Sequence, residues 1–245
     1  MKKSLATLLL ACLCYSTSAQ VIIALLFGEK LNTGKMEFGL VVSPNLTNIT
    51  NQESQYRSGL NLGLYLNFRP DKRLFLHVEG TAKGSFGAED LKPYPTENDT
   101  LNGLFTSGSI ERKIKAFSLP VMAHYHLTEL FFAEAGLQAN MRLKVKDLFK
   151  TEVSDNDLEY TVDVTKQFTW LDFGLAGGLF YKFRKDRKSM GMGVRYFYGL
   201  TDIDKVTSGI QSNSAWLLNI TIPVGAGKAE EEKKSPITTG NKHTK

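Results

Sequence analysis

The stretch from Trp170 to Leu200 restricts the fold most strongly, because apolar residues alternate there with small or polar ones over two successive runs. Side chains on a β-strand point to opposite faces in turn, so this alternation predicts two strands, each with one apolar face. Residues 184–189 between them are mostly charged and predict a tight turn. The apolar face of this hairpin carries Leu171, Phe173, Leu175, Leu179, Tyr181, Phe183, Met190, Met192, Val194, Tyr196, Tyr198 and Leu200, and the other face carries Asp172, Gly174, Ala176, Gly178, Lys182, Gly191, Gly193, Arg195 and Gly199.

The same alternation elsewhere in the chain predicts further strands and brings the total to eight. Long connections alternate with short ones throughout, which is the pattern of outer-membrane barrels with long outer loops and short periplasmic turns. The predicted strands cover about 36–43, 58–68, 74–83, 117–127, 131–145, 170–183, 190–200 and 215–224; the long connections are 44–57, 84–116, 146–169 and 201–214, and the short ones 69–73, 128–129 and 184–189. The sequence therefore predicts an all-β fold, an eight-stranded antiparallel up-and-down transmembrane β-barrel with both termini in the periplasm.

Aromatic residues gather near the ends of the predicted strands, as they do at the two interfaces of a membrane. Two girdles are therefore expected at the bacterial outer membrane. Phe68, Tyr125, Phe131, Tyr181 and Phe183 lie by the short turns, and Phe168, Trp170, Tyr198 and Trp216 lie by the long loops.

The two ends of the chain differ in composition from the part between them. Residues 1–19 have a basic start, an apolar run and small residues before Gln20, which predicts a secretory signal peptide. A lipoprotein signal ending at Cys12 is the alternative. Residues 20–35 are predicted to be an apolar segment and linker, packed at the barrel rim or acting as a plug or docking segment. Residues 225–245 are predicted to be a disordered charged tail.

Composition excludes several classes of partner and fold. The net charge of +5 is mild and its basic residues are scattered, so no nucleic acid is expected as a partner. No apolar run beyond the first 19 residues reaches the eighteen or more that a membrane helix needs. A chain that crosses lipid without such a helix must form a closed barrel, so outer-membrane lipid is an expected partner.

The residues opposite the apolar faces predict the content of the barrel lumen. Charges in a narrow lumen must pair or be hydrogen-bonded, since an isolated buried charge costs several kcal/mol. Eight-stranded barrels are filled by their own side chains, so a general porin is not predicted. Arg195 is expected to pair with one or more of Glu79, Glu134 and Asp172. The predicted lumenal polar network is Glu37, Glu79, Glu134, Asp172 and Arg195, and His77, Lys83, His124 and Lys182 are expected to face inward with it.

Catalytic, cofactor and metal sites are not predicted. His77, Glu79, His124 and His126 could form a histidine and carboxylate metal site, but histidines two residues apart often occur without a metal. The chain has no phosphate-binding loop, Ser-His-Asp arrangement or zincin motif. A non-enzymatic role is therefore expected, with a barrel enzyme acting on lipids as an alternative. The acidic stretches 89–103 and 151–163 are expected to be solvated loops or a contact site for a partner or ion.

A secreted lipocalin-like barrel that binds a hydrophobic ligand is the alternative architecture. Its apolar faces would point inward, and Glu37, Glu79, Glu134, Asp172 and Arg195 would point to solvent. A solvent face with so few charges and so many glycines would be unusual, which favours the membrane barrel.

Two segments resemble the PorT-like outer-membrane β-barrel family: 119–127, an apolar strand that contains Pro120 and precedes a short turn, and 194–203, which contains Arg-Tyr-Phe-Tyr-Gly-Leu. The likeness extends from about Met36 to Val224. It implies an eight-stranded bacterial outer-membrane barrel. The member that names the family takes part in protein secretion, so the resemblance implies a structural or interaction role in the cell envelope, with envelope or secretion-system proteins as partners.

Overall fold

The computed structural model describes residues 36–69, 73–96, 99–153, 156–185 and 189–224. The predicted signal peptide, the segment 20–35 and the tail 225–245 lie outside these residues. Among the described residues, no helix is long and apolar enough to cross a membrane. The elements are β1 (Met36–Ile49), β2 (Arg57–Phe68), β3 (Leu74–Leu91), α1 (Asp99–Phe105), β4 (Ser109–His126), β5 (Phe131–Val153), β6 (Asn156–Asp163), a 3-10 turn (Thr165–Gln167), β7 (Leu171–Lys182), β8 (Gly191–Gly199) and β9 (Asn213–Pro223).

Eight of the strands form a closed antiparallel ring. Neighbouring strands pair in the order β1, β2, β3, β4, β5, β7, β8 and β9, and β9 pairs back to β1. In the described part of the chain, β6 pairs only with the outer part of β5 and stands outside the ring. The predicted fold class, an eight-stranded antiparallel barrel, is confirmed.

The two ends of the barrel differ in the length of their connections. The short-turn end holds the connections 69–73, 127–130 and 183–190, and both Met36 and Pro223 lie there. Between ring strands, the long-loop end holds 50–56, 92–108, 154–170, which contains β6, and 200–212. The predicted alternation of long and short connections is therefore present except at the first loop, because β1 runs on to Ile49 and leaves 50–56 no longer than 183–190.

Apolar side chains cover the outside of the ring and polar side chains fill the inside. Leu137, Leu175 and Leu179 are 46%, 52% and 57% exposed, whereas Glu134 and Arg195 are 3% and 1% exposed. A water-soluble barrel that carries a ligand places these two sets the other way round. The lipocalin-like alternative is therefore wrong.

Four strands, β1, β3, β4 and β5, continue well beyond their predicted boundaries. The predicted loops 84–116 and 146–169 are wrong in part, because they hold the ends of β3, β4 and β5 together with α1 and β6. The predicted loop 44–57 is shortened because β1 runs to Ile49. We call the four-stranded sheet made by 84–91, 109–115, 144–153 and 156–163 the sheet extension.

Two bulges explain why strict alternation fails at the base of the sheet extension. The β3–β4 register shifts between Thr81 and Gly84, so that Ala82 and Lys83 both point outward. The predicted inward position of Lys83 is therefore wrong. The β4–β5 register shifts at Lys115, and beyond that point Val145 is buried while Lys144 is exposed. A bulge adds one residue to one strand and so reverses the faces that follow it.

The aromatic girdle at the long-loop end differs from the prediction in one residue. Trp170, Tyr198 and Trp216 are 61%, 45% and 47% exposed on the outer wall. Phe168 is only 1% exposed, and its ring lies 4.8 Å from the guanidinium carbon of the buried Arg112. The prediction of Phe168 as a girdle residue is wrong, because its ring packs inside the fold against this cation.

Leu137 lies midway between Phe131 and Leu143 on the apolar face of β5, whereas Leu143 lies at the edge of that face. An arginine at the membrane midplane costs about 2–4 kcal/mol and one near the interface about 0–1 kcal/mol. We expect Leu137→Arg to lower the free energy of unfolding in lipid vesicles by about 3 kcal/mol and Leu143→Arg by less than about 1 kcal/mol. Urea titrations followed by tryptophan fluorescence measure both. Equal, small effects would contradict a lipid-facing wall, since both leucines would then face water.

Candidate functional site

Arg195 lies at the centre of the lumen and bridges two carboxylates. Its Nε and Nη2 donate to the two Glu134 oxygens at 2.8 and 3.0 Å, and its Nη1 donates to Glu79 Oε1 at 2.7 Å. All three residues are at least 97% buried. Such charge-assisted bonds, one of them bidentate, are among the strong hydrogen bonds of proteins.

Gly178 makes the contact between Glu134 and Arg195 possible. In the antiparallel register Gly178 on β7 lies between Glu134 on β5 and Arg195 on β8. Glycine has no side chain, so the carboxylate and the guanidinium reach each other across the strand that separates them. A Cβ at Gly178 would lie 2.9 Å from Arg195 Cα and 2.1 Å from the Val194 carbonyl oxygen, closer than real contacts allow.

Two histidines flank the carboxylates. His77 Nε2 lies 2.8 Å from Glu79 Oε1, and His124 Nε2 lies 2.9 Å from Glu134 Oε2. The two rings are 5.0 Å apart at their centroids. The same carboxylates already bind Arg195, and among the described residues no three His, Cys, Asp or Glu side chains are placed to hold a metal ion. His126 packs apart from this group, with its ring 4.2 Å from that of Phe132.

Glu37 belongs to a second polar group at the short-turn end. Its Oε1 accepts from Tyr65 and Asn67 at 3.0 Å each, and its Oε2 accepts from Arg69 at 2.8 Å and Lys182 at 3.1 Å. Arg69 also lies over the Phe75 ring, 5.1 Å from its centroid. The sequence analysis placed Arg69 only in a turn. Its position directly after the end of β2 was the feature that could have indicated a contact with the lumen.

Asp172 lies near the long-loop end of the lumen, away from Arg195. Its Oδ2 accepts from Asn140 at 3.1 Å and from Asn213 at 2.9 Å. The cavity beside it has a volume of about 10 Å³, which is about the space of one water molecule. Beyond Asp172 an apolar cluster that includes Phe86 and Phe197, both 0% exposed, packs across the interior. Layers of side chains therefore fill the described lumen.

A further buried ion group lies under the sheet extension. Arg112 donates from Nε and Nη2 to Asp147 at 2.8 and 2.7 Å, and its Nη1 lies 3.4 Å from Asp204 Oδ2. Tyr94 donates its hydroxyl to Asp147 at 3.0 Å. Burial and the charge of Asp147 raise the pKa of Tyr94. The sequence prediction missed this group because it assigned 84–116 to a loop, although Ile110, Arg112 and Ile114 alternate as in a strand.

A cavity of about 300 Å³ opens beside this ion group at the long-loop end. It combines apolar, aromatic and charged side chains, as small-molecule sites do. Its lining includes Gln52, Leu91, Tyr94, Ile110, Arg112 and Thr207.

Glu111 links two strands of the sheet extension, β4 and β5, to β2. It binds Arg57 on β2 at 2.9 Å, Lys150 on β5 at 2.7 Å and Lys113 on its own strand at 3.2 Å. Burial alone would raise the pKa of Glu111, but the hydrogen bonds from these cations outweigh burial and lower the pKa to about 2. The carboxylate therefore stays charged at neutral pH.

The sequence matches a known family over residues 27–205, most of the described barrel. That family is described as the outer membrane protein beta-barrel domain. The chain belongs to this family. It is therefore an outer-membrane β-barrel protein, and the lipid of that membrane surrounds its exposed apolar face.

Several solved structures have a similar chain path at low sequence identity. Ail of Yersinia pestis is 9% identical over 76% of this chain and 97% of its own, with a TM-score of 0.40. Neisserial surface protein A is 10% identical over 77% and 96%, with a TM-score of 0.39. OprG from Pseudomonas aeruginosa is 14% identical over 77% and 94%, with a TM-score of 0.33. A comparison with curated proteins gave no sequence match.

Replacing Arg195 by methionine would leave Glu79 and Glu134 buried without their shared cation. Breaking a buried ion pair from one side costs about 3–5 kcal/mol, and we expect Arg195→Met to lower the free energy of unfolding by that amount. Urea unfolding in detergent or vesicles measures the change.

The matched control removes all three charges together. The triple variant Glu79→Gln, Glu134→Gln, Arg195→Met leaves no uncompensated charge, so we expect it to be more stable than Arg195→Met alone. A triple variant as unstable as the single one would show that lost packing, and not unbalanced charge, causes the effect.

Replacing Glu111 by glutamine should matter only while the carboxylate is charged. The pKa of Glu111 falls from its ordinary 4.5 to about 2 on folding, so its contribution is present above pH 4.5 and is lost as the pH falls towards 2. We expect pepsin to cut the sheet extension faster in Glu111→Gln than in the parent at pH 4, and equally fast near pH 2. Glu53→Gln, which removes an exposed partner of Lys92, is the control expected to change neither rate. A difference between Glu111→Gln and the parent that grows towards pH 2 would contradict this account.

Proposed function

We propose that the protein is a non-enzymatic barrel with a structural or interaction role in the bacterial cell envelope, as a subunit of a secretion or envelope complex. The observation that carries this proposal is the contrast between a lumen filled by buried side chains and a sheet extension that projects beyond the exposed apolar wall. Such a shape favours contact at the end of the barrel over passage through it.

The filled lumen argues against a transport role. From the short-turn end to the long-loop end, the Glu37 group, the Arg195 layer and the apolar cluster around Phe86 follow one another along the barrel axis. A solute would have to break several buried charge-assisted hydrogen bonds to pass, each worth about 1.5–3 kcal/mol. Rapid diffusion is not expected through such an interior.

The orientation that we propose places the termini in the periplasm and the sheet extension outside the cell. Outer-membrane barrels have short periplasmic turns and longer outer loops. Met36 and Pro223 both lie at the short-turn end, and the sheet extension lies at the long-loop end.

The free edge of β6 supports a protein partner. Among the described residues, β6 pairs with β5 along one edge only, and unpaired strand edges recruit strands from other chains. Asp157, Glu159 and Asp163 are exposed along β6 and give the edge a negative charge. A partner with an extended basic segment would fit this edge, and the edge would bind it in preference to an uncharged strand.

The resemblance to PorT-like proteins supports the choice of a secretion or envelope complex over a solitary barrel. That resemblance is carried by 119–127 and 194–203, which lie on β4 and on β8 with the loop after it. Both segments belong mainly to the barrel wall, so they support the architecture. The identity of the partner must come from experiment.

A photo-activated cross-linking residue tests the partner proposal. Placed at the exposed Thr161 on β6, it should give a discrete high-mass adduct in living cells, because the edge contacts a protein there. The same residue at Leu175, which is 52% exposed on the apolar wall, is the control and should give no such adduct.

Two further measurements accompany the cross-linking test. Trypsin added to intact cells should cut the sheet extension if it faces outward, and a protected extension would overturn the orientation. Absence of an adduct at Thr161 together with ion conductance of the purified barrel in planar bilayers would contradict the interaction role and favour a pore.

A further inference from the structure

Asp172 is the one buried carboxylate among the described residues that has no cationic partner. It is 5% exposed, and its hydrogen bonds come only from the neutral side-chain amides of Asn140 and Asn213. A buried charge without a counter-charge is costly, so a cation from outside the chain would stabilise this one. The other buried carboxylates each lie within 4 Å of a lysine or arginine nitrogen: Glu37, Glu79, Glu111, Glu134, Asp147 and Asp204.

Two side-chain oxygens at Asp172 have no hydrogen-bond partner. Asp172 Oδ1 and Asn213 Oδ1 are both buried, and no donor of the described residues reaches either of them. Asn213 is 3% exposed and donates its amide to the other oxygen of the carboxylate, so the two side chains adjoin. Buried polar atoms of native proteins almost always have a partner. Two such oxygens beside an unbalanced negative charge indicate a bound cation.

A small cavity adjoins these oxygens. Its volume of about 10 Å³ is about the space of one water molecule, and Asn140, Asp172 and Asn213 supply part of its lining. Gly199 on β8, the strand between β7 and β9, keeps the space beside the carboxylate open. A Cβ at Gly199 would lie 3.1 Å from Asp172 Oδ1. The cavity therefore has room for one small ion in contact with that oxygen.

The two arginines near this cavity are bound elsewhere. Arg142 lines the cavity, but its guanidinium donates to carbonyl oxygens of the following loop, at 3.1 Å in the case of Thr169, and makes no ion pair with Asp172. Arg112 lies against the ring of Phe168, which also lines the cavity, and its guanidinium is bound to two other carboxylates. Neither arginine neutralises Asp172.

We propose that Asp172 and Asn213 bind a monovalent metal cation of the size of sodium in this cavity. Carboxylate and amide oxygens are the ligands that hard cations prefer. One carboxylate balances one positive charge, whereas a divalent ion would leave a net charge buried. The bound cation would join β7 to β9 across Gly199 and would hold the base of the connection 200–212.

Urea unfolding of the full chain in a non-ionic detergent tests the site, with sodium as the probe. Sodium chloride replaces choline chloride at constant ionic strength, because choline is too large for this cavity. A ligand that binds only the folded protein stabilises it by mass action. Each tenfold rise in sodium concentration above the dissociation constant should therefore raise the ratio of folded to unfolded protein about tenfold.

Two variants make the test specific to Asp172. Asp172→Asn removes the charge and keeps the shape of the side chain, so its stability should be the same in both salts. Glu37→Gln removes a buried carboxylate that has its own cations, and it should keep the sodium effect of the parent even if it is less stable. The NMR line of the sodium ion should broaden in the presence of the parent and not in the presence of Asp172→Asn.

Three results would overturn the inference. These are equal stability of the parent in the two salts, a sodium effect that survives in Asp172→Asn, and an infrared band of a protonated carboxyl group that the parent shows in sodium chloride and Asp172→Asn lacks. The last result would mean that a proton takes the place of the cation. Stabilisation by calcium chloride and none by sodium chloride would likewise contradict a monovalent site. Cross-linking at Thr161 reports on the protein partner separately, so the two proposals can fail independently.

Discussion

Closure of the hydrogen-bond ladder between β1 and β9 is the constraint on which the rest of the structure depends. Lipid offers no partner to a free strand edge, and each unsatisfied backbone group there costs several kcal/mol. The two strands pair from Gly39 opposite Pro223 to Ile49 opposite Asn213. Pro44 has no N–H and interrupts this ladder, and beside it the side chains of Ser43 and Asn219 bond across the seam at 2.7 Å. Once the ring is closed, every strand must present apolar groups outward.

Closure of the ring also requires the polar groups of its interior to be paired or hydrogen-bonded. Polar residues opposite the apolar wall are removed from water, and they persist only where charges and hydrogen bonds are satisfied inside. Glu79, Glu134 and Arg195 meet this demand as one group because Gly178 leaves room between their strands. An interior satisfied in this way is rigid and filled. Contacts with other molecules are therefore expected at the barrel's outer wall and at its long-loop end.

The alternation of apolar and polar residues predicted the barrel because each successive residue of the wall faces either lipid or the lumen. It placed Glu79, Glu134 and Arg195 on strand faces that all point inward, but it could not say that Glu37 binds Arg69 and Lys182 while Asp172 binds two asparagines. Those choices depend on the stagger between strands, which a single sequence does not reveal. Lys83 and the sheet extension were missed for a related reason. Bulges reverse the faces of a strand, so a search for one unbroken period ends at them.

The central claim is that this chain folds as a closed barrel in the outer membrane. The most direct test fractionates cell envelopes and compares unheated and boiled samples of the protein on a denaturing gel. A closed barrel satisfies its own backbone groups and stays folded in cold detergent, so we predict a band in the outer-membrane fraction that changes its mobility only after boiling. A protein in the soluble fraction, or one with the same mobility before and after boiling, would contradict the account.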